Sequence, residues 1–211
     1  MLLAGCTAAS EEFQQDADIL RLQHLEYYGN LLQEYKAQTG TYPLMGKANV
    51  PIYVHVASPQ QVDDVQGAPP YAHKVIAFKE FIAEIEIVLG GNIEEYYDPQ
   101  FEPDSKPNFY IYMVDGNTYN FAVHVHENFS FGNPVAKGYN KVEITNNTNG
   151  SSHLIKPEEL FSSKEFIDAI SRPLFKPEFF KDRKNSFLHS TKSWSELISF
   201  ISAFVVSDTG F

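Results

Sequence analysis

Phe109-Tyr110-Ile111-Tyr112-Met113-Val114-Asp115-Gly116-Asn117-Thr118-Tyr119-Asn120-Phe121-Ala122-Val123-His124-Val125 is the stretch that sets the fold class. Residues 109–114 and 118–125 are aromatic and β-branched, and they flank Asp115-Gly116, which suits the positive φ angles of a tight turn. We read a β-hairpin here. Asn140 to Thr145 predicts a third strand, and Ile52-Tyr53-Val54-His55-Val56 a further short one.

Helical patterns flank these strands. From Asp16, the residues Ile19, Leu22, Leu25, Tyr28, Leu32 and Tyr35 recur at helical spacing until Thr39-Gly40 stops them. A second stripe between Tyr71 and Leu89, made of Val75, Phe78, Phe81, Ile82, Ile85 and Val88, closes at Gly90-Gly91 after the loop Gln66-Gly67-Ala68-Pro69-Pro70. An Asn/Ser-rich loop over 146–152 leads into a helical C-terminal part. There Ser162 with Glu165 and Ser193 with Glu196 fit capping boxes, Pro177 suits a first turn, and Trp194, Leu197, Ile198, Ile201, Phe204 and Val205 form the last stripe. The expected fold is α+β: a long N-terminal helix and a second helix packed on a small antiparallel sheet, with a helical C-terminal subdomain. The expected division is a short N-terminal segment over 1–15, the α+β domain over 16–150, and the helical subdomain over 151–211.

Composition narrows the function. With 27 acidic and 16 basic residues the formal charge is −11, which opposes binding to nucleic-acid phosphates and to anionic headgroups. No apolar run approaches the roughly 18 residues of a membrane span. A single cysteine excludes an intramolecular disulfide framework and a multi-cysteine zinc site. Neither a Gly-x-Ser-x-Gly elbow nor a phosphate-cradling loop occurs, and no cofactor is expected. Asn128-Phe129-Ser130 and Asn146-Asn147-Thr148 read as turn residues.

Two groups of side chains are candidates for binding. His124 and His126 lie two apart on a predicted strand, on the face opposite Phe121, Val123 and Val125, so that both could ligate one metal on the more solvated side. A catalytic zinc site needs a third protein ligand, for which His55 is available. Tyr110 and Tyr112 share one face of their strand and form a candidate contact surface, since tyrosine is enriched at recognition surfaces; aromatic core packing is the alternative.

Residues 31–43, Leu31-Leu32-Gln33-Glu34-Tyr35-Lys36-Ala37-Gln38-Thr39-Gly40-Thr41-Tyr42-Pro43, resemble the end of the long helix in type II secretion pseudopilins and type IV pilins. There too a tyrosine-bearing helix closes at Gly before Tyr-Pro. Asp98-Pro99 and the hairpin extend the likeness to the pilin order of helix, loop and antiparallel sheet. The apolar helical spine and prepilin-peptidase site of those families have no counterpart here, so filament assembly by that route is not expected.

Leu3-Ala4-Gly5-Cys6, which ends at the lone cysteine, resembles a bacterial lipobox. The resemblance implies diacylglyceryl and amide-linked acyl chains on Cys6, and stable attachment takes more than one chain. It also implies a lipid-anchored place in the cell envelope, and Thr7 rather than Asp points to the outer membrane, facing the periplasm. Because an export signal carries a basic region and an apolar region of roughly 7–15 residues, a truncated start is expected. Thr7 to Gln15 reads as a tether that spans at most about 30 Å when extended. The competing reading is a cytosolic chain that spells the motif by chance.

The expected function is that of a non-enzymatic envelope lipoprotein, a structural or protein-binding module that touches the membrane through Cys6 and binds an envelope protein. The alternatives are an immunity or inhibitor protein against a secreted toxin of basic surface, and a metal-dependent enzyme using His124 and His126.

Overall fold

The computed structural model describes residues 4–59, 61, 71–100, 107–136, 138–149 and 154–174, with backbone alone for 4–12 and 136. The chain divides into two compact units, Met1–Phe175 and Lys176–Phe211, and every described residue belongs to the first. Leu3, the 66–70 loop, Pro177, the Ser193–Glu196 capping box and the Trp194 stripe lie outside the described residues.

The fold is α+β. Helix α1 (Ala4–Thr39) is followed by β1 (Ile52–Val56), β2 (Lys74–Ile76), α2 (Phe78–Leu89), β3 (Tyr110–Asp115), β4 (Thr118–Val125), β5 (Asn133–Ala136), β6 (Tyr139–Thr145), α3 (Pro157–Phe161) and α4 (Lys164–Ile170). The strands form a six-stranded sheet in the order β2-β1-β3-β4-β6-β5. It is mixed: β1 and β2 run parallel, and every other neighbouring pair is antiparallel. Both edges are short, and β5 carries Pro134 and a register shift, features that blunt edge-to-edge pairing.

The hairpin forms as expected, with Asp115 opposite Thr118 and Gly116-Asn117 as the loop. Of these two only Gly116 has a positive φ, 55°, so the glycine supplies the unusual backbone angle. Alternation along β4 sends Tyr119, Phe121, Val123 and Val125, all fully buried, to one face. On that face Phe121 stacks on Tyr28 of α1 with ring centroids 5.1 Å apart. The α1 stripe Ile19, Leu22, Leu25, Tyr28 and Leu32 is likewise fully buried, each such side chain contributing roughly 1.5–3 kcal/mol.

Helix α2 buries Phe78, Phe81, Ile82 and Ile85, with Phe81 against Tyr112 at 4.7 Å. Glu84 ties α2 to the end of α1: it accepts from Tyr35 Oη at 2.9 Å and from the Leu44 amide at 3.0 Å, and it pairs with Lys47. Partial burial pushes the Glu84 carboxyl up, but the bonds from Leu44, Lys47 and Tyr35 outweigh it and lower its pKa.

Several local expectations are corrected. Helix α1 starts at Ala4, not Asp16, because no proline interrupts residues 4–15 and nothing there stops the helix; Thr7 to Gln15 is helical and rises only about 13 Å. The start of the second stripe is strand: Lys74–Ile76 pairs with β1, leaving Val75 54 % exposed and the helix to begin after Ala77. Ser162 closes α3 instead of opening α4; Ser163 is the cap, its hydroxyl accepting from the Phe166 amide at 3.3 Å. Glu165 turns instead to the Ser130 amide at 3.0 Å. Helices α3 and α4 pack on α1, and α3 also on β6, so residues 154–174 are continuous with the sheet unit.

Gly29 of α1 sets the approach of α3. A Cβ there would lie 2.6 Å from Phe161 Cζ and 2.9 Å from Ile144 Cδ1. Alanine gains about 1 kcal/mol over glycine within a helix, whereas overpacking costs about 1–3 kcal/mol, and here side chains on two elements must yield. Gly29→Ala is therefore expected to lower the urea midpoint, a net loss of about 1 kcal/mol, with partial recovery when Phe161→Leu is added; an unchanged midpoint would show that α3 yields freely.

Candidate functional site

The densest set of chemically capable groups lies where α1 meets the segment around Asp98. Asp18, Arg21 and His24 follow one another at three-residue spacing on α1, and all are buried with Asp98. Arg21 grips Asp98 with two parallel bonds, Nε to Oδ2 at 2.8 Å and Nη2 to Oδ1 at 2.9 Å, and donates from Nη1 to Asp18 Oδ1 at 2.6 Å. A further bond reaches Gln100 Oε1 at 3.2 Å. The second Asp18 oxygen accepts from the backbone amides of His126 and Glu127 at 2.8 and 2.7 Å, just past the end of β4. Gln61 completes the enclosure by donating to the carbonyls of Asp98 and Gln100, both at 2.9 Å.

The electrostatics follow from burial. Desolvation works against the Arg21 charge, but Asp98, through charge and hydrogen bond, and then Asp18 more than compensate and raise its pKa. At His24 the balance falls the other way. Burial, aided by the Arg21 charge and opposed in part by Asp98, pushes its imidazole down to about 3, so it is neutral. The ring stacks on Tyr96 at 4.9 Å, and Nδ1 lies 2.6 Å from the Tyr110 hydroxyl. Tyr110 Oη also donates to the Tyr97 carbonyl at 3.1 Å, and burial raises its pKa well above the usual value. These groups are enclosed, and they bind α1 to the sheet and to the segment over 96–100.

The residues expected from sequence fall elsewhere. Tyr110 and Tyr112 share a face as expected, but it is the inner one: both are fully buried, and Tyr112 donates to the Pro43 carbonyl at 2.7 Å. They are core, not a contact surface, because the inner face of β3 lies against the helices. His124 is also buried, at 6 % exposure, beneath the ring of Tyr139 and opposite Lys141. His126 is only partly exposed, with Nδ1 3.3 Å from the Gly138 carbonyl. His55 pairs with Ile111, which pairs with Ala122, so two strand spacings, about 10 Å, separate it from β4 before the offset to His124 is added. Among the described residues no group of three or more His, Cys, Asp or Glu is placed to hold a metal ion. Cys6 lies in the first turns of α1.

No protein-family profile, curated protein or solved structure matches this chain.

The buried cluster carries no local signal in the sequence: Asp18 and Arg21, of opposite sign and three residues apart, equally fit an ion pair on a solvated helix face.

Two expectations follow for stability. Arg21→Met removes one partner and strands two buried carboxylates, at a cost of about 3–5 kcal/mol in urea unfolding. The second concerns pH. The unfolded imidazole titrates near 6.5 and the folded one near 3, so the unfolded chain binds the extra proton and stability falls as pH drops between those values, by up to about 1.4 kcal/mol per unit. From about pH 7 to 5 the His24 share is about 2 kcal/mol. His24→Phe, which keeps an aromatic ring beside Tyr96, is expected to flatten that slope, leaving the residue due to His55, whose pKa is also lowered by burial and by His73. Equal slopes in both proteins would mean that His24 is not enclosed in solution.

Proposed function

We propose that this protein is a non-enzymatic lipoprotein of the bacterial cell envelope, a structural or protein-binding module held to a membrane by lipid on Cys6 and facing the periplasm from the outer membrane. The observation that carries this reading is Leu3-Ala4-Gly5-Cys6 at the lone cysteine; from Cys6 helix α1 runs on into the core, where Asp16 is the first enclosed side chain among those described. The ten intervening steps rise about 15 Å. An acyl group on Cys6 would thus hold the folded unit close to the bilayer on a stiff helical stalk.

Charge supports the same reading. At −11 the chain is repelled by anionic headgroups, so attachment falls to the lipid, and a basic envelope protein is the partner that its surface favours. The interior acid–base groups serve packing: Arg21, Asp18 and Asp98 are engaged with one another and with backbone amides.

The test is intact-mass and labelled-fatty-acid analysis of protein expressed from its natural start in a bacterial host. Acylated Cys6 and a membrane-bound product are expected, with Cys6→Ser released to the soluble fraction. An unmodified thiol on Cys6 in that product would remove the basis of the envelope reading.

A further inference from the structure

Next to the Gly29–Phe161 contact, α1 and α3 border an open cleft of about 480 Å³ lined by Asn30, Gln33, Pro157, Glu158, Phe161 and Ser162. This lies within the range of small-molecule sites, about 300–1,000 Å³. Its polar lining is two amides, one carboxylate and one hydroxyl, with no basic side chain. Each amide offers a donor beside an acceptor, and the carboxylate offers two acceptors side by side. Ser162 Oγ gives its proton to the Glu158 carbonyl at 2.6 Å, which leaves its lone pairs to accept. Phe161 and Pro157 supply an apolar wall.

That combination selects a class of ligand. Adjacent hydroxyls on a ring each donate and accept, at a spacing that matches the paired atoms of an amide or carboxylate, while the C–H face of the ring suits an apolar wall. Glu158 and the absence of a lining cation oppose an anion.

Behind Gln33 lies the fully buried Tyr119, whose hydroxyl has Gln33 and Tyr42 within hydrogen-bonding reach. Gln33 can therefore meet Tyr119 with one end of its amide and leave the other end for a ligand.

We propose that the cleft between α1 and α3 is a binding site for a neutral sugar, held by Asn30, Gln33 and Glu158 with the ring against Phe161. The proposal is independent of the lipid on Cys6. It is tested by titrating the whole ¹⁵N-labelled chain with glucose and with N-acetylglucosamine, using choline and gluconate as cationic and anionic controls. Saturable shifts at the amides of Asn30, Gln33, Glu158 and Ser162 are expected for at least one sugar in the millimolar range. Glu158→Ala and Asn30→Ala, both at exposed positions that leave the core intact, should each weaken binding about tenfold, whereas Ile87→Ser on α2 should not. No saturable shift with either sugar, shifts that Glu158→Ala and Asn30→Ala leave unaltered, or tighter binding of choline or gluconate would overturn the assignment.

Discussion

The two parallel bonds from Arg21 to Asp98 are the constraint on which the rest of the described unit turns. From Asp16 to Leu22 every side chain of α1 is buried, so this part of the helix has no solvated face on which a charge could rest. A guanidinium there is tolerable only if its hydrogen-bond donors are met and its charge is balanced nearby. Asp98 meets the first need from one side and Asp18 from the other. The oxygens left over reach the backbone of 126–127 and of Gln100. Helix, sheet end and the segment over 96–100 therefore take up one mutual arrangement, since a shift of any one strands a charge in a dry interior.

Tyrosine plays a related part in the core. Tyr28, Tyr110 and Tyr112 are fully buried, yet each hydroxyl is anchored: Tyr28 bridges the carbonyl and amide of Tyr96, Tyr110 meets His24 and the Tyr97 carbonyl, and Tyr112 meets the Pro43 carbonyl. Phenylalanine would fill the same volume without choosing where the irregular segments go. The hydroxyls make that choice, because a loop carbonyl that moves leaves two polar groups unpaired. This explains how residues 92–100, which form no regular element, lie in a defined course over α1.

How much of this could be read from residues alone depended on whether the signal was periodic. The hairpin and the α1 stripe were legible because alternation and helical spacing report burial directly, and Asp115-Gly116 marked the turn. The α+β class followed from those parts. The sense of a face is less legible: Tyr110 and Tyr112 share one, but period two cannot tell the inner face from the outer, so contact surface and core packing both fit the sequence and burial decides for the core. His124 is less legible still: a polar residue on the outer face suggests solvent, whereas Tyr139 and the neighbouring strand cover it. Strand β2 was missed because its three residues continue an apolar stripe in register with α2, and only pairing with β1, a long-range contact, breaks that stripe. The Arg21 cluster was invisible for a different reason. Its partner Asp98 is 77 positions away, and no local pattern announces that a charge is to be matched at that distance.

These points bear on the proposed anchoring through the single element they share. Helix α1 carries Cys6 near one end, the Arg21 cluster in its middle and Gly29, with the wall of the sugar cleft, beyond it. A flexible tether would decouple the lipid from the fold and let the unit tumble over the bilayer. A helix continuous with the core does not: the direction of α1 relative to the membrane becomes the direction of the whole described unit, because Asp98 and Asp18 forbid α1 from rolling within it. The cleft between α1 and α3 lies at Asn30 and Gln33, twenty-four and twenty-seven residues from Cys6 in helical rise, or about 36–40 Å. With Cys6 acylated as proposed and α1 directed away from the bilayer, the cleft would stand well clear of it, within reach of a soluble sugar, while the acidic charge would oppose collapse onto anionic headgroups.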